Sequence, residues 1–152
     1  MLIQRKKEKM ANRNYFTLHE FLYSETALKN KIDNWPTDFW IIENIQTKIL
    51  PVLNQLREAW CGGIRITSGY RSEALNKAVK GSKTSMHMKG LAVDMVPSNG
   101  DFKNFVIFTV GFFDKRGFDQ LIIETSGKSQ WLHLGIESND GEQRKQILNI
   151  NL

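Results

Sequence analysis

Three side chains of this sequence have the types and spacing to act together on a metal ion. Asp94 sits inside an apolar run, with Leu91-Ala92-Val93 before it and Met95-Val96 after it. A buried carboxylate is costly unless something positive answers it. His87, one of only three histidines, lies upstream in Ser85-Met86-His87, and His133 closes Trp131-Leu132-His133. Two histidines and a carboxylate, with a fourth position left to water, are how catalytic zinc sites are built. The same donor set serves non-haem iron. Spacing alone leaves blander arrangements open. Asp94 could pair with Arg65 or Lys89, and His133 could be a satisfied core histidine. The third histidine, His19, fits a surface position at a helix start.

These residues need elements to hold them. Leu91 to Val96 reads as a strand, and because strands alternate sides, Asp94 shares a face with Ala92 and Val96. Gln130 to Ile136 reads as another strand, with His133 on the face of Trp131 and Gly135. Phe118 to Glu124 pairs with it through a hairpin at Thr125-Ser126-Gly127-Lys128-Ser129. Lys80 to Lys89 is expected to be a loop carrying His87. Ile64 to Thr67 alternates as a short strand, and Ser72 to Val79 forms a short helix.

Upstream, Phe16 to Leu22 is expected to be a short helix, with Thr17 as N-cap and Glu20 closing a capping box. Asp33-Asn34-Trp35-Pro36 is a turn signal. A long helix, Thr37 to Trp60, follows from the spacing of Ile42, Ile45, Ile49, Val52, Leu56 and Trp60. Pro51 predicts a kink or break before it. Asp101 to Phe113 is apolar nearly all round and reads as a buried helix. The tail is expected to form a short helix near Gly141 to Leu148. The sum is an α+β fold, helices packed on a small, largely antiparallel sheet.

The chain has 152 residues, enough for one domain, placed at 14–152 behind a disordered tail at 1–13. Hydrophobic residues make up 41% and charged residues 24%, an ordinary globular balance. The single cysteine, Cys61, rules out an intrachain disulfide and reads as a small buried filler. The net charge of +5 and pI of about 9.4 suit an anionic partner, either nucleic acid or a cell wall. No stripe of interleaved arginines and aromatics supports nucleic acid, and Arg5-Lys6-Lys7 reads as a solvated tail. No apolar window is long enough for a transmembrane helix. The start lacks an apolar segment after its charges, so no secretory signal is expected.

Several stretches together resemble the zinc D-alanyl-D-alanine carboxypeptidases, metallopeptidase family fifteen, which include phage L-alanyl-D-glutamate endolysins. They are Ser68-Gly-Tyr-Arg-Ser-Glu-Ala-Leu-Asn76, Ser85-Met-His87, Gly90-Leu-Ala-Val-Asp94 and Trp131-Leu-His133. Phe16-Thr-Leu-His-Glu-Phe, Ile32-Asp-Asn-Trp-Pro36, Leu50-Pro-Val-Leu-Asn-Gln-Leu-Arg57 and Phe118-Asp-Gln-Leu-Ile-Ile-Glu124 look like its small phage-type branch. The likeness runs from about Tyr15 to Gly135 and implies the D-Ala-D-Ala peptidase/hedgehog-like zinc domain. It implies one Zn2+ per chain on His87, Asp94 and His133, and Arg71 at the substrate oxyanion or a carboxylate. Ser85 is a candidate for supporting the metal loop.

The general base departs from the family's commoner pattern. Many members carry Glu or Asp three residues before the last ligand, where this chain has Gln130, which cannot accept and return a proton. Glu124 is the alternative, since the hairpin places it across from Gln130 or Trp131. Gln120, two residues earlier on the same face, could assist. The implied activity is hydrolysis of peptide bonds in peptidoglycan stem peptides or cross-links, by a monomer. It would be made in the cytoplasm and act at the wall after release. Gln130 also leaves open an inactive zinc-containing wall-binding module. Carboxypeptidase, D,D-endopeptidase and L-alanyl-D-glutamate endopeptidase share these motifs.

Overall fold

The computed structural model of the protein describes residues 13–60 and 62–152. The expectations for the first twelve residues, including Arg5-Lys6-Lys7, and for Cys61 lie outside the described residues. Helix α1 (Leu18–Leu22) opens with the predicted capping box. The Thr17 hydroxyl accepts from the Glu20 N–H, and the Glu20 carboxylate accepts from the Thr17 N–H. Helix α2 (Glu25–Lys29) is capped by the Ser24 hydroxyl.

The predicted long helix is continuous but not uniform. It runs as α3 (Phe39–Asn44), a π-helical stretch (Ile45–Ile49) and α4 (Leu50–Trp60). Proline lacks an N–H, and its ring presses on the carbonyl four residues back. Ahead of Pro51 the helix widens rather than breaks, and the Leu50 N–H reaches back five residues to the Ile45 carbonyl. The widening turns the apolar stripe. Ile41, Ile45, Ile49, Leu53 and Leu56 are buried, while Ile42 and Val52, expected on that stripe, are half-buried.

Strands β1 (Ile64–Ser68), β2 (Ala92–Pro97), β3 (Gln120–Ser126), β4 (Ser129–Gly135) and β5 (Gln146–Asn151) form one sheet in the order β1-β2-β4-β3-β5. The first three pairings are antiparallel, and β5 lies parallel to β3. The tail is therefore a strand and not the helix expected near Gly141 to Leu148. Without it, β3 would present a row of unpaired backbone groups. Gln146-Ile-Leu-Asn-Ile-Asn151 supplies partners from Gln120 to Thr125. That pairing, together with β-branched residues, outweighs helix propensity.

Val93, Met95, Leu121, Leu132 and Leu134 are at most 1% exposed on one face of the sheet. Helices α4 and α6 (Phe102–Asp114) cover that face. Helix α6 is buried along one side only, through Phe105, Thr109, Phe112 and Phe113; Ile107 on its other side is exposed. Between β1 and β2 stands a short helix, α5 (Glu73–Ala78), capped by the Ser72 hydroxyl. The face of the sheet turned away from α4 and α6 is left for chemistry.

Candidate metal centre

Register brings the polar face together. Asp94 on β2 stands opposite His133 on β4 and Ser68 on β1. His133 in turn stands opposite Ile122 on β3, with Glu124 opposite Trp131 in the next row and Gln120 opposite Gly135 in the row before. His87 arrives from the segment expected to be a plain loop. Part of that segment is a 3-10 turn, Met86–Lys89, which ends at Gly90 in the left-handed conformation (φ 68°). A side chain at Gly90 would also strike Ile45 in the π-helical stretch. The Asn44 amide bonds the Lys89 carbonyl, so the widened helix braces the turn that carries His87.

The Ser68-Gly69-Tyr70 turn fixes the ring of His87. A Cβ on Gly69 would lie 2.1 Å from the Phe21 carbonyl oxygen, so only glycine fits. The Gly69 carbonyl stands 2.7 Å from His87 Nδ1. A carbonyl only accepts, so Nδ1 carries the proton and Nε2 presents a lone pair. That lone pair is 3.2 Å from Asp94 Oδ1 and 3.2 Å from His133 Nδ1, and His133 Nδ1 is 2.8 Å from Asp94 Oδ1.

The geometry fits a metal. Ligands at about 2.0–2.1 Å on a tetrahedron stand ~3.3 Å from one another. The three edges here match that spacing to within half an ångström, and all three atoms can ligate one ion. Two acceptors, His87 Nε2 and Asp94 Oδ1, face each other with no proton of their own, and a cation between them satisfies both. Desolvation lowers the His87 pKa and keeps the ring neutral, as a ligand must be. Burial alone would raise the Asp94 carboxyl, but the imidazoles packed against it, with His133 Nδ1 as the donor to Oδ1, outweigh it and hold the group ionised, below the usual carboxylate range.

The Arg71 guanidinium meets the other oxygen of that carboxylate. Its Nη2 lies 2.6 Å from Asp94 Oδ2, and its Nε donates to the Ser68 hydroxyl at 2.9 Å. Asp94 therefore pairs with Arg71, not with Arg65 or Lys89. Arg71 is neither a surface ion pair nor wholly free for substrate, because it is largely buried and fixes the orientation of the Asp94 carboxylate.

Glu124 lies one strand repeat from the histidine row, about 7 Å along β3. Its Oε2 accepts from the Trp131 indole N–H at 2.5 Å. Burial raises its pKa, and the nearby Asp94 charge raises it further. Gln120 lies on the same face, but its amide donates to the Gln146 side chain at 2.8 Å on β5. Ser85 makes no capping bond and lines the cleft beside His87. Gln130 points the other way. Three residues from His133 on a regular strand, it is exposed on the opposite face and donates to Thr125 Oγ1.

The cleft over these residues measures about 940 Å3, lined by Arg71, His87, Asp94, Glu124, Trp131 and His133 among others. That is the upper end for small-ligand sites, about 300–1,000 Å3, and leaves room for an extended peptide. Sequence reasoning missed a second polar cluster at its rim. Asp119, 1% exposed, is gripped by Arg144 through Nε at 2.6 Å and Nη2 at 2.8 Å. The sequence signal for Asp119 was a lone acid just before a strand. Nothing in the sequence pointed to Arg144.

A sheet face bearing a His-Asp-His set able to hold a metal, an ionisable glutamate beside it and an open cleft above is the arrangement of a metal-dependent hydrolase. The sequence model of peptidase family M15 matches residues 14–134, and the chain belongs to that metallopeptidase family. The match stops before the segment that forms β5. No curated protein sequence matches the chain significantly. Among the described residues, no helix is long and apolar enough to cross a membrane.

Proposed function

We propose that the protein is a zinc peptidase that hydrolyses peptide bonds in peptidoglycan stem peptides or cross-links. The observation that carries this reading is the triangle of His87 Nε2, Asp94 Oδ1 and His133 Nδ1 in a chain of peptidase family M15. When bound, zinc supplies Lewis acidity, acidifying water and polarising the scissile carbonyl. Glu124 is the group that takes the proton from the attacking water and delivers it to the leaving amine. Its raised pKa moves it towards the range where one carboxylate can do both. The Trp131 indole ties down one oxygen and leaves the other for the exchange. Arg71 holds Asp94 in its ligating orientation while its remaining N–H groups face the cleft, where a planar fork suits a carbonyl or carboxylate of the substrate.

An inactive wall-binding module was motivated by Gln130. Its place on the far face gives that alternative no support, because a carboxylate there would not face the metal position. The net positive charge of +5 favours residence on an anionic wall. In this reading the protein acts at the wall after release from the cytoplasm. The test is mass analysis of muropeptides after digestion with the zinc-loaded protein. One new amine and one new carboxyl terminus at a defined bond are expected, abolished by chelator and restored by zinc. Unchanged muropeptides with stoichiometric zinc bound would rule the activity out.

A further inference from the structure

The rim of the cleft holds an arginine that neither the metal centre nor the proposed proton transfer uses. Arg144 stands on the segment leading into β5, beyond the family match. Its backbone N–H and its Nε both reach Asp119 Oδ1, at 3.3 and 2.6 Å, and its Nη2 reaches Oδ2 at 2.8 Å. Asp119 is buried, so it forms a fixed base for the guanidinium. The arginine itself is not sealed in. Its side chain is 43% exposed and lines the same cleft as His133 and Glu124.

Donor counting gives the arginine spare capacity. A guanidinium has five N–H groups in a rigid fork. Asp119 takes two, one from Nε and one from Nη2. The remaining three, two of them on Nη1, have no hydrogen-bond partner among the described residues. Asp140 and Glu142 on the same segment attract the guanidinium without bonding it. An arginine held on one edge by a buried carboxylate has little side-chain entropy left to lose on binding a second anion.

Position fixes what that anion would belong to. Across the sheet, the row of Gln146, Gln120 and Gly135 lies one strand repeat before the row of Ile122, His133 and Asp94. Arg144 stands beyond that first row, on the side away from Glu124. A peptide laid along the cleft with its scissile bond at the histidine row would pass Arg144 more than one strand repeat, upwards of about 7 Å, further on.

We infer that Arg144, positioned by Asp119, forms a subsite for a carboxylate branching from the substrate peptide, two or more residues from the bond cut. This rests on the reading of the protein as a peptidase of anionic stem peptides. The probes are two stem pentapeptides that differ only at the second residue, whose branching carboxyl is free in one and a carboxamide in the other. Turnover and equilibrium binding are measured with the zinc-loaded parent, Arg144→Gln and Arg144→Lys.

The parent is expected to favour the free acid about 10–100-fold, mostly in KM, the worth of a charge-assisted hydrogen bond. In Arg144→Gln the acid-to-amide ratio should fall towards one. Arg144→Lys keeps a charge for Asp119 and the fold, and should retain only part of the preference, since a point charge lacks the second prong. A parent that treats acid and amide alike would overturn the subsite. So would a preference that survives both substitutions, or an equal loss on both peptides. If neither peptide is cleaved, the peptidase reading fails on its own. The binding ratio then still decides the subsite.

Discussion

The metal centre and the C-terminal wall of the same cleft are built in opposite ways. The centre draws its three metal-capable side chains from two antiparallel strands and one tight turn, all within the stretch that matches family M15. Each of these side chains is locked by backbone: His87 by the Gly69 carbonyl, Asp94 and His133 by direct register. The wall is an edge strand added in parallel, exposed along most of its length, and tied on by the Asp119–Arg144 pair. In the proposed reading, the contrast separates what would make the reaction possible from what would choose the substrate. A centre needs sub-ångström placement and is built into paired strands. A wall can vary, because an edge can be rebuilt without disturbing the rows inside it.

Removing a ligand should produce the largest effect. His87→Ala or Asp94→Ala takes away one of three donors, and Asp94→Ala also leaves Arg71 without its partner. Each variant is expected to lose most of its bound zinc and all measurable activity. Elemental analysis of protein purified without chelator checks this against a parent value of about one zinc per chain. By contrast, Arg144→Gln should keep full metal content. If it loses zinc too, the separation between centre and wall is wrong.

The next largest effect belongs to Glu124→Gln. Loss of a proton-transfer group costs about 10²–10⁴ in rate. With zinc content matched to the parent, kcat should fall on that scale while thermal stability barely changes. Near-parental turnover would place the base elsewhere.

A smaller effect follows from the Trp131 indole. Its N–H bonds the carboxylate of Glu124 and so favours the ionised form against burial, which raises the pKa. A base must be ionised to act, so activity is lost as pH falls through this raised value. The acidic limb of kcat/KM should therefore stand above the ordinary glutamate value. Trp131→Phe removes one stabilising bond to the charged form, and the limb should move to still higher pH. A limb that stays put in the phenylalanine variant would mean that Glu124 does not set it.

The same contrast explains what the sequence disclosed. Asp94 in one apolar strand and His133 in another were legible because alternation assigns faces without knowledge of the partner strand, whereas His87, expected on a loop, entered the set through its spacing and the family resemblance. The hairpin alone placed Glu124 across from Gln130 or Trp131, and the register makes the partner Trp131. The capping box at Thr17 and Glu20 is a local signal and was equally readable. The tail was misread because a parallel edge strand depends on a partner some 25 residues away (Gln146 beside Gln120), and short exposed runs carry no decisive period. Arg71's bond to Asp94 and Arg144's to Asp119 are tertiary contacts between segments far apart in sequence, which no local pattern encodes. Pro51 signalled irregularity correctly, but whether a helix breaks or widens depends on what packs against it, here Ile45 against Gly90.

The smallest expected effect is also the most discriminating, because it sets a sequence pattern against a register. Three residues before the last ligand, Gln130 occupies the position where a carboxylate would be looked for from the resemblance alone. On β4, residues three apart lie on opposite faces, and Gln130 is paired with Thr125, not with Glu124. Its amide already donates to the Thr125 hydroxyl on the far side of the hairpin. Gln130→Ala should therefore change turnover by no more than about twofold, the range of an ordinary surface substitution. Gln130→Glu placed in the Glu124→Gln background should restore nothing, since the new carboxylate would face solvent away from His133. Both are read from kcat/KM at matched zinc content. Recovery of even a tenth of parental activity in the double variant would mean that the end of the hairpin twists enough to bring residue 130 to the metal, and that the two faces of β4 are not separate as the register places them.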